Sequence, residues 1–212
     1  MTRAEQAIKR MLDFLFALLV LVVFWPIFVL LFLIVKVDSR GPGIFRQKRL
    51  GKDGKPFTCY KFRTMIEDAP HLRKPDGSAY TGEDDPRITR VGRFLRRTSL
   101  DELPQFLNVL KGDMSMVGPR PEQVDQVRFY SERQKKRLLV KPGMTSWAMI
   151  QGRNTLPWQE RLDLDAEYVE NYSLWLDVRI FMLTLPILLS TRGAFGPQEE
   201  VQSDIDVPDV QP

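Results

Sequence analysis

The sequence holds one cysteine, Cys59, and one histidine, His71. A single thiol excludes internal disulfides and thiolate metal clusters, and it gives no support to an oxidising compartment. Cys59 reads as a small buried residue. One histidine excludes a two-histidine zinc site, and His71 lies in a polar, loop-like stretch unsuited to a His-based triad. No internal repeat is present. No run interleaves aromatic and basic residues as a nucleic-acid stacking platform would. Chemistry in this chain therefore falls to carboxylates, arginines and lysines.

The chain has 212 residues, enough for one domain with a real core plus a membrane element. Net charge is +4 and the pI near 9.2. Basic residues crowd positions 36–63, 87–97 and 133–141, which suits a phosphate-bearing partner: nucleic acid, anionic lipid or a nucleotide. The tail, 196–212, is acidic (Glu199, Glu200, Asp204, Asp206, Asp209) and reads as disordered.

From Phe14 to Val35 there is no charge. As a straight helix this run is roughly 33 Å long, enough to cross a bilayer core. It is too long for a signal-peptide core, and no small-residue cleavage site follows it. Trp25-Pro26 sits at its middle, where proline kinks or ends a helix. Both flanks are basic, with Arg3, Lys9 and Arg10 before it and Lys36, Arg40, Arg46, Lys48 and Arg49 after it. Equal positive flanks favour a re-entrant hairpin over residues 1–37, entering and leaving on one face, over a kinked span.

Residues 38–195 read as one catalytic domain. Turn signals at Arg40–Gly43 and Lys52–Lys55 frame short strands at Ile44-Phe45 and Phe57–Phe62, a hairpin near the membrane. Lys61 and Arg63 share one face of the second strand. Glu67–Arg87 is polar and reads as a mobile loop, and Ile88–Arg97 as a short basic helix. Gly118-Pro119-Arg120-Pro121 is stiff backbone carrying one arginine, suited to a fixed phosphate contact or to an ordinary proline turn. Gln123–Leu139 reads as a polar helix, Lys141–Met144 as a turn, and Gly152-Arg153-Asn154 as a loop with one arginine. Trp158–Tyr172 and Leu174–Leu189 read as helices, the second a core or interfacial one.

The stretch Arg96–Gln105 is the centre of the chain. Asp101 and Glu102 follow two arginines and open a helix whose apolar face is Leu103, Phe106, Leu107 and Leu110, with Gly112 as its stop. One reading is a capping box, with Ser99 as N-cap and Glu102 three residues on; Pro104 weighs against it. The other is a site where carboxylates, arginines and a helix N-terminus hold a metal ion and phosphate oxygens together.

Several motifs occur in one order: Lys61-Phe-Arg-Thr-Met65, Ser99-Leu-Asp-Glu-Leu-Pro-Gln105, Asn108–Ser115, Val117-Gly-Pro-Arg-Pro121, Lys141-Pro-Gly-Met-Thr145, Gly152-Arg-Asn154 and Asp165-Ala-Glu-Tyr168. Through them the chain resembles, from about Lys9 to Thr191, the small monotopic bacterial sugar transferases, the polyprenyl-phosphate phosphoglycosyl transferases. The resemblance implies an α/β fold, mostly helical with a small β-hairpin. It also implies a re-entrant membrane helix broken near Pro26 and interfacial amphipathic helices, on the cytoplasmic face of the bacterial inner membrane. The implied reaction moves a sugar-1-phosphate from a UDP-sugar to polyprenyl (undecaprenyl) phosphate, releasing UMP, as the first membrane step of glycan assembly. Asp101 would be the nucleophile and Glu102 its partner, with Mg²⁺ bound by both. Arg96 matches the family's arginine. Lys61, Arg63, Arg120 and Arg153 would contact phosphate or carboxylate groups, with Pro119 and Pro121 fixing Arg120 near the nucleotide. The membrane hairpin leaves room for a homodimer.

The chain departs from the family pattern at Lys141, Ser146 and Met149. Two other functions compete: transfer of the sugar alone, with UDP released, and a membrane-anchored binding module for acidic lipid or nucleic acid without catalysis.

Overall fold

The computed structural model describes residues 2–67, 69, 82–83, 85–190 and 193–196. Most of the expected Glu67–Arg87 loop and of the acidic tail lies outside them. Helix α1 runs from Arg3 to Asp38, capped by Thr2, whose hydroxyl accepts from the Glu5 amide while Glu5 reaches back to Thr2. Its apolar residues face outward: Leu19, Val22, Val23 and Trp25 are all more than half exposed. It is long and apolar enough to cross a membrane, and little of it is buried. The expected break at Pro26 is not an interruption of helical structure, for α1 is helical throughout with Pro26 inside it. Proline removes only one hydrogen bond, and the turns on either side keep theirs.

Both halves of α1 pack on the same domain. Ala17 is buried with Cys59, Phe106, Val109 and Met114; Leu31 and Val35 are buried with Phe62 and Leu95. The flanking cations serve the fold. Lys9 donates to Asp177 at 2.6 Å and to the Val117 carbonyl, and Arg10 donates to the Val109 and Leu110 carbonyls.

Strands β1 (Ile44–Leu50) and β2 (Pro56–Phe62) form the expected hairpin, longer than its sequence signal, with Phe45 opposite Lys61. Helix α2 (Arg90–Thr98) follows, then a 3-10 segment Leu100–Gln105 and helix α3 (Phe106–Lys111), which Gly112 ends at φ 91°. A second sheet was not foreseen: β3 (Ser115–Val117) pairs in parallel with β4 (Gly143–Thr145), so the expected turn at Lys141–Met144 is partly strand. The polar helix expected over Gln123–Leu139 is instead two 3-10 segments, Val124–Phe129 and Gln134–Leu139. Side-chain oxygens of Gln126 and Gln134 take the amides of Gln123 and Ser131 and compete with helical bonding.

Helices α4 (Trp147–Gln151), α5 (Trp158–Glu170) and α6 (Leu174–Ser190) complete the domain. One face of α6 is buried through Asp177, Ile180 and Thr184; the other exposes Trp175, Val178, Met182 and Leu185. That pattern fits an interfacial helix.

Candidate active site

Ser99 takes a left-handed conformation, φ 58°, which closes α2 and turns the chain into the 3-10 segment. Its side chain caps nothing there; its hydroxyl accepts from Arg153 Nη2 at 2.7 Å. The capping box therefore does not form. Glu102 Oε1 instead receives Lys61 Nζ at 2.8 Å and Arg120 Nη2 at 2.6 Å. Asp101, buried beside it, faces Lys61 at 4.0 Å.

The two carboxylates differ electrostatically. Burial opposes ionisation of Glu102, but Arg120 and Lys61 overcome it and hold its carboxyl well below the usual range. Glu102 in turn keeps Arg120 firmly charged. Burial pushes the Asp101 carboxyl up, against the pull of Lys61, Arg96 and Arg120. The nearby arginines do not by themselves keep Asp101 low, as its sequence setting suggests; its burial outweighs them.

Each neighbour is held by its own element. Lys61 lies on β2, and Arg96 on α2 donates through Nε to Thr64 Oγ1 at 2.9 Å. The Pro-Arg-Pro backbone is gripped from three sides: Pro119 O accepts from the Gly143 amide, Arg120 O from Arg137, and Pro121 O from Arg49. Arg120 thus leaves a fixed base. Arg153 has a positive φ of 55° and reaches Ser99. Arg63 sits elsewhere in role: its Nη2 donates to the Val35 carbonyl and to Ser39, tying the end of α1 to the hairpin. It still borders the same cavity.

That cavity encloses 590 Å³, within the range of small-molecule sites. Asp101, Glu102, Lys61, Arg96, Arg120 and Arg153 all line it. Ser146 and Met149 also line it, whereas Lys141 is not among its lining residues. Arg49, one of the hairpin cations that the sequence offered to headgroups or a bound phosphate, also lines it, as do Glu122 and Arg161, which the sequence did not single out. Arg49 follows Arg46 and Lys48 in β1, and nothing local separates it from surface charge.

Among the described residues no group of three or more His, Cys, Asp or Glu could hold a metal ion. Asp101 and Glu102 offer two adjacent carboxylates. That set fits Mg²⁺ of the kind that completes its shell with substrate phosphates and water.

Comparison with known proteins identifies the family. The family model described as bacterial sugar transferase matches residues 4–191. The galactosyl transferase CpsE of Streptococcus agalactiae is 44% identical over 88% of this chain and 43% of its own length. EpsL of Bacillus subtilis, an uncharacterized sugar transferase, is 42% identical over 88% of this chain and 89% of its own. The UDP-glucose:undecaprenyl-phosphate glucose-1-phosphate transferase of Escherichia coli is 44% identical over 85% of this chain and 40% of its own. The chain thus spans less than half the length of some relatives and most of the length of others. By the family match over residues 4–191 and by these relatives, it belongs to the bacterial sugar transferase family.

Proposed function

We propose that this protein transfers a sugar-1-phosphate from a UDP-sugar to undecaprenyl phosphate. The observation that carries this is the placing of buried Asp101 and half-buried Glu102 against Lys61 and Arg120 in one cavity with Arg96 and Arg153. Relatives named as undecaprenyl-phosphate galactose and glucose phosphotransferases support the donor and acceptor classes.

In the first step an Asp101 carboxylate oxygen attacks the phosphorus that bears the sugar. The bond from that phosphorus to the bridging oxygen breaks, and UMP leaves with the electron pair. In the second step an oxygen of the lipid phosphate attacks the same phosphorus. The aspartyl–phosphorus bond breaks, Asp101 is restored as carboxylate, and a polyprenyl diphosphate sugar departs. Lys61, Arg96, Arg120 and Arg153 offset the charge on the phosphates. Glu102, held ionised by two cations, is a weak proton acceptor and acts by fixing Lys61 and Arg120. Asp101 and Glu102 would hold Mg²⁺, which supplies further charge neutralisation at the diphosphate.

A monotopic seat, which the resemblance puts on the cytoplasmic face of the inner membrane, is supported by the packing of α1. Residues before and after Pro26 both contact one domain, which suits a helix that dips into one leaflet and returns. The outward apolar face of α6 suits the same interface. The deciding experiment supplies purified protein with Mg²⁺, undecaprenyl phosphate and a panel of UDP-sugars, and identifies the released nucleotide. UMP with one sugar, lost in Asp101→Asn, is the expected result. UDP would mean transfer of sugar alone, and binding without turnover would leave an anchored binding module.

A further inference from the structure

Helix α6 ends at Ser190 and the family match at residue 191, yet the chain returns to the cavity just beyond. Gly193 adopts φ 65°, a left-handed turn open to glycine. Ala194 and Phe195 then line the same cavity as Asp101 and Glu102. Asn154 pins this return at two points: its amide donates to Gly193 O at 3.3 Å and its Nδ2 to Ala194 O at 2.8 Å. Asn154 is itself held, since its Oδ1 accepts from Arg161 at 3.0 Å. Its neighbour Arg153 reaches Ser99, two residues from Asp101.

We infer that Gly193–Phe195 is a wall of the donor cavity, with Phe195 a specificity-determining contact for a ring of the nucleotide sugar. The donor identity rests on the function proposed above. Around the carboxylates the cavity is lined by cations that suit phosphates, and phosphates are common to every nucleotide sugar. Discrimination must come from groups that touch the rings. Phe195 supplies the apolar surface that a uracil plane or the C–H face of a pyranose requires. The strap lies outside the family-matched region. Asn154 ties the strap to the Arg153 loop.

The test compares wild type, Phe195→Ala and Phe195→Trp, with full chains in lipid nanodiscs and melting temperatures confirming the fold. Binding of UMP and of several UDP-sugars is measured by titration, and KM and kcat are measured for each turned-over donor. Phe195→Ala is expected to weaken UDP-sugar binding about fivefold to tenfold with kcat little changed, and Phe195→Trp to restore it. A parallel loss for UMP assigns the contact to the uracil; UMP unmoved, with a changed order of preference among sugars, assigns it to the pyranose. Unchanged binding of UMP and all sugars in both variants overturns the inference. Altered binding in a protein without turnover would instead sink the proposed reaction and leave the wall standing.

Discussion

Arg120 Nη2 lies 2.6 Å from Glu102 Oε1, on the oxygen that also receives Lys61. This contact separates two carboxylates that are neighbours in sequence. Glu102 is committed to cations, while Asp101 faces the nearest lysine across 4.0 Å. Two identical charges side by side would repel; here their different partners drive their proton affinities apart.

Asp101→Asn is expected to reduce turnover by about 10⁴-fold or more without unfolding the protein. Burial raises the Asp101 carboxyl, so the folded state binds its proton more tightly than the unfolded chain does. The stability this contributes is fully present below the ordinary carboxylate value and is lost as pH rises through the raised folded value. At neutral pH the amide variant should therefore melt higher than wild type, with the gap closing in acid. A variant that melts lower at neutral pH would contradict this.

Lys61→Gln removes a charge that favours ionised Asp101. The acid limb of the kcat profile should move to higher pH, and kcat at its plateau should fall by about 10²-fold. A plateau loss with an unmoved limb would mean that Lys61 acts on substrate alone.

Arg137 and Asp165 form a buried ion pair at 2.6 Å, and Arg137 also donates to Tyr130 and to the Arg120 carbonyl. Arg137→Met should cost about 3–5 kcal/mol in denaturant titrations, because Asp165 is left buried without its partner. Adding Asp165→Leu should recover much of that loss. A double variant as unstable as the single would show that the Tyr130 and Arg120 contacts dominate.

Ser99→Ala and Arg153→Ala should each lower kcat/KM, and the double variant should fall short of the sum by about 0.5–3 kcal/mol. Strict additivity would place the two residues in separate roles, against their 2.7 Å contact.

The hairpin, α2, α5, α6 and the stop at Gly112 were legible because each rests on local pattern: turn residues, alternation or helical spacing. The β3–β4 sheet was not, since each partner has only three residues and Ser115 meets Gly143 across a long loop. In the site, Lys61, Arg96, Arg120 and Arg153 were named from the sequence, but their pairing was not legible there. Ser99 and Glu102 have capping-box spacing, and only the fold delivers Lys61, Arg120 and Arg153 to claim them instead. Lys9 and Arg10 read only as a basic flank of the apolar run for the same reason: their partners are far away in sequence.

Ala17 of α1 touches Phe106 and Val109, on the helix that directly continues the Asp101 segment. The apolar helix is thus no tether from which a self-sufficient enzyme hangs. Its side chains complete the interior, and without it Cys59, Val109 and Leu95 would meet solvent. In the membrane seat proposed above, side-chain packing would fix the height of the carboxylates above the lipid, as a keel fixes the waterline of a hull.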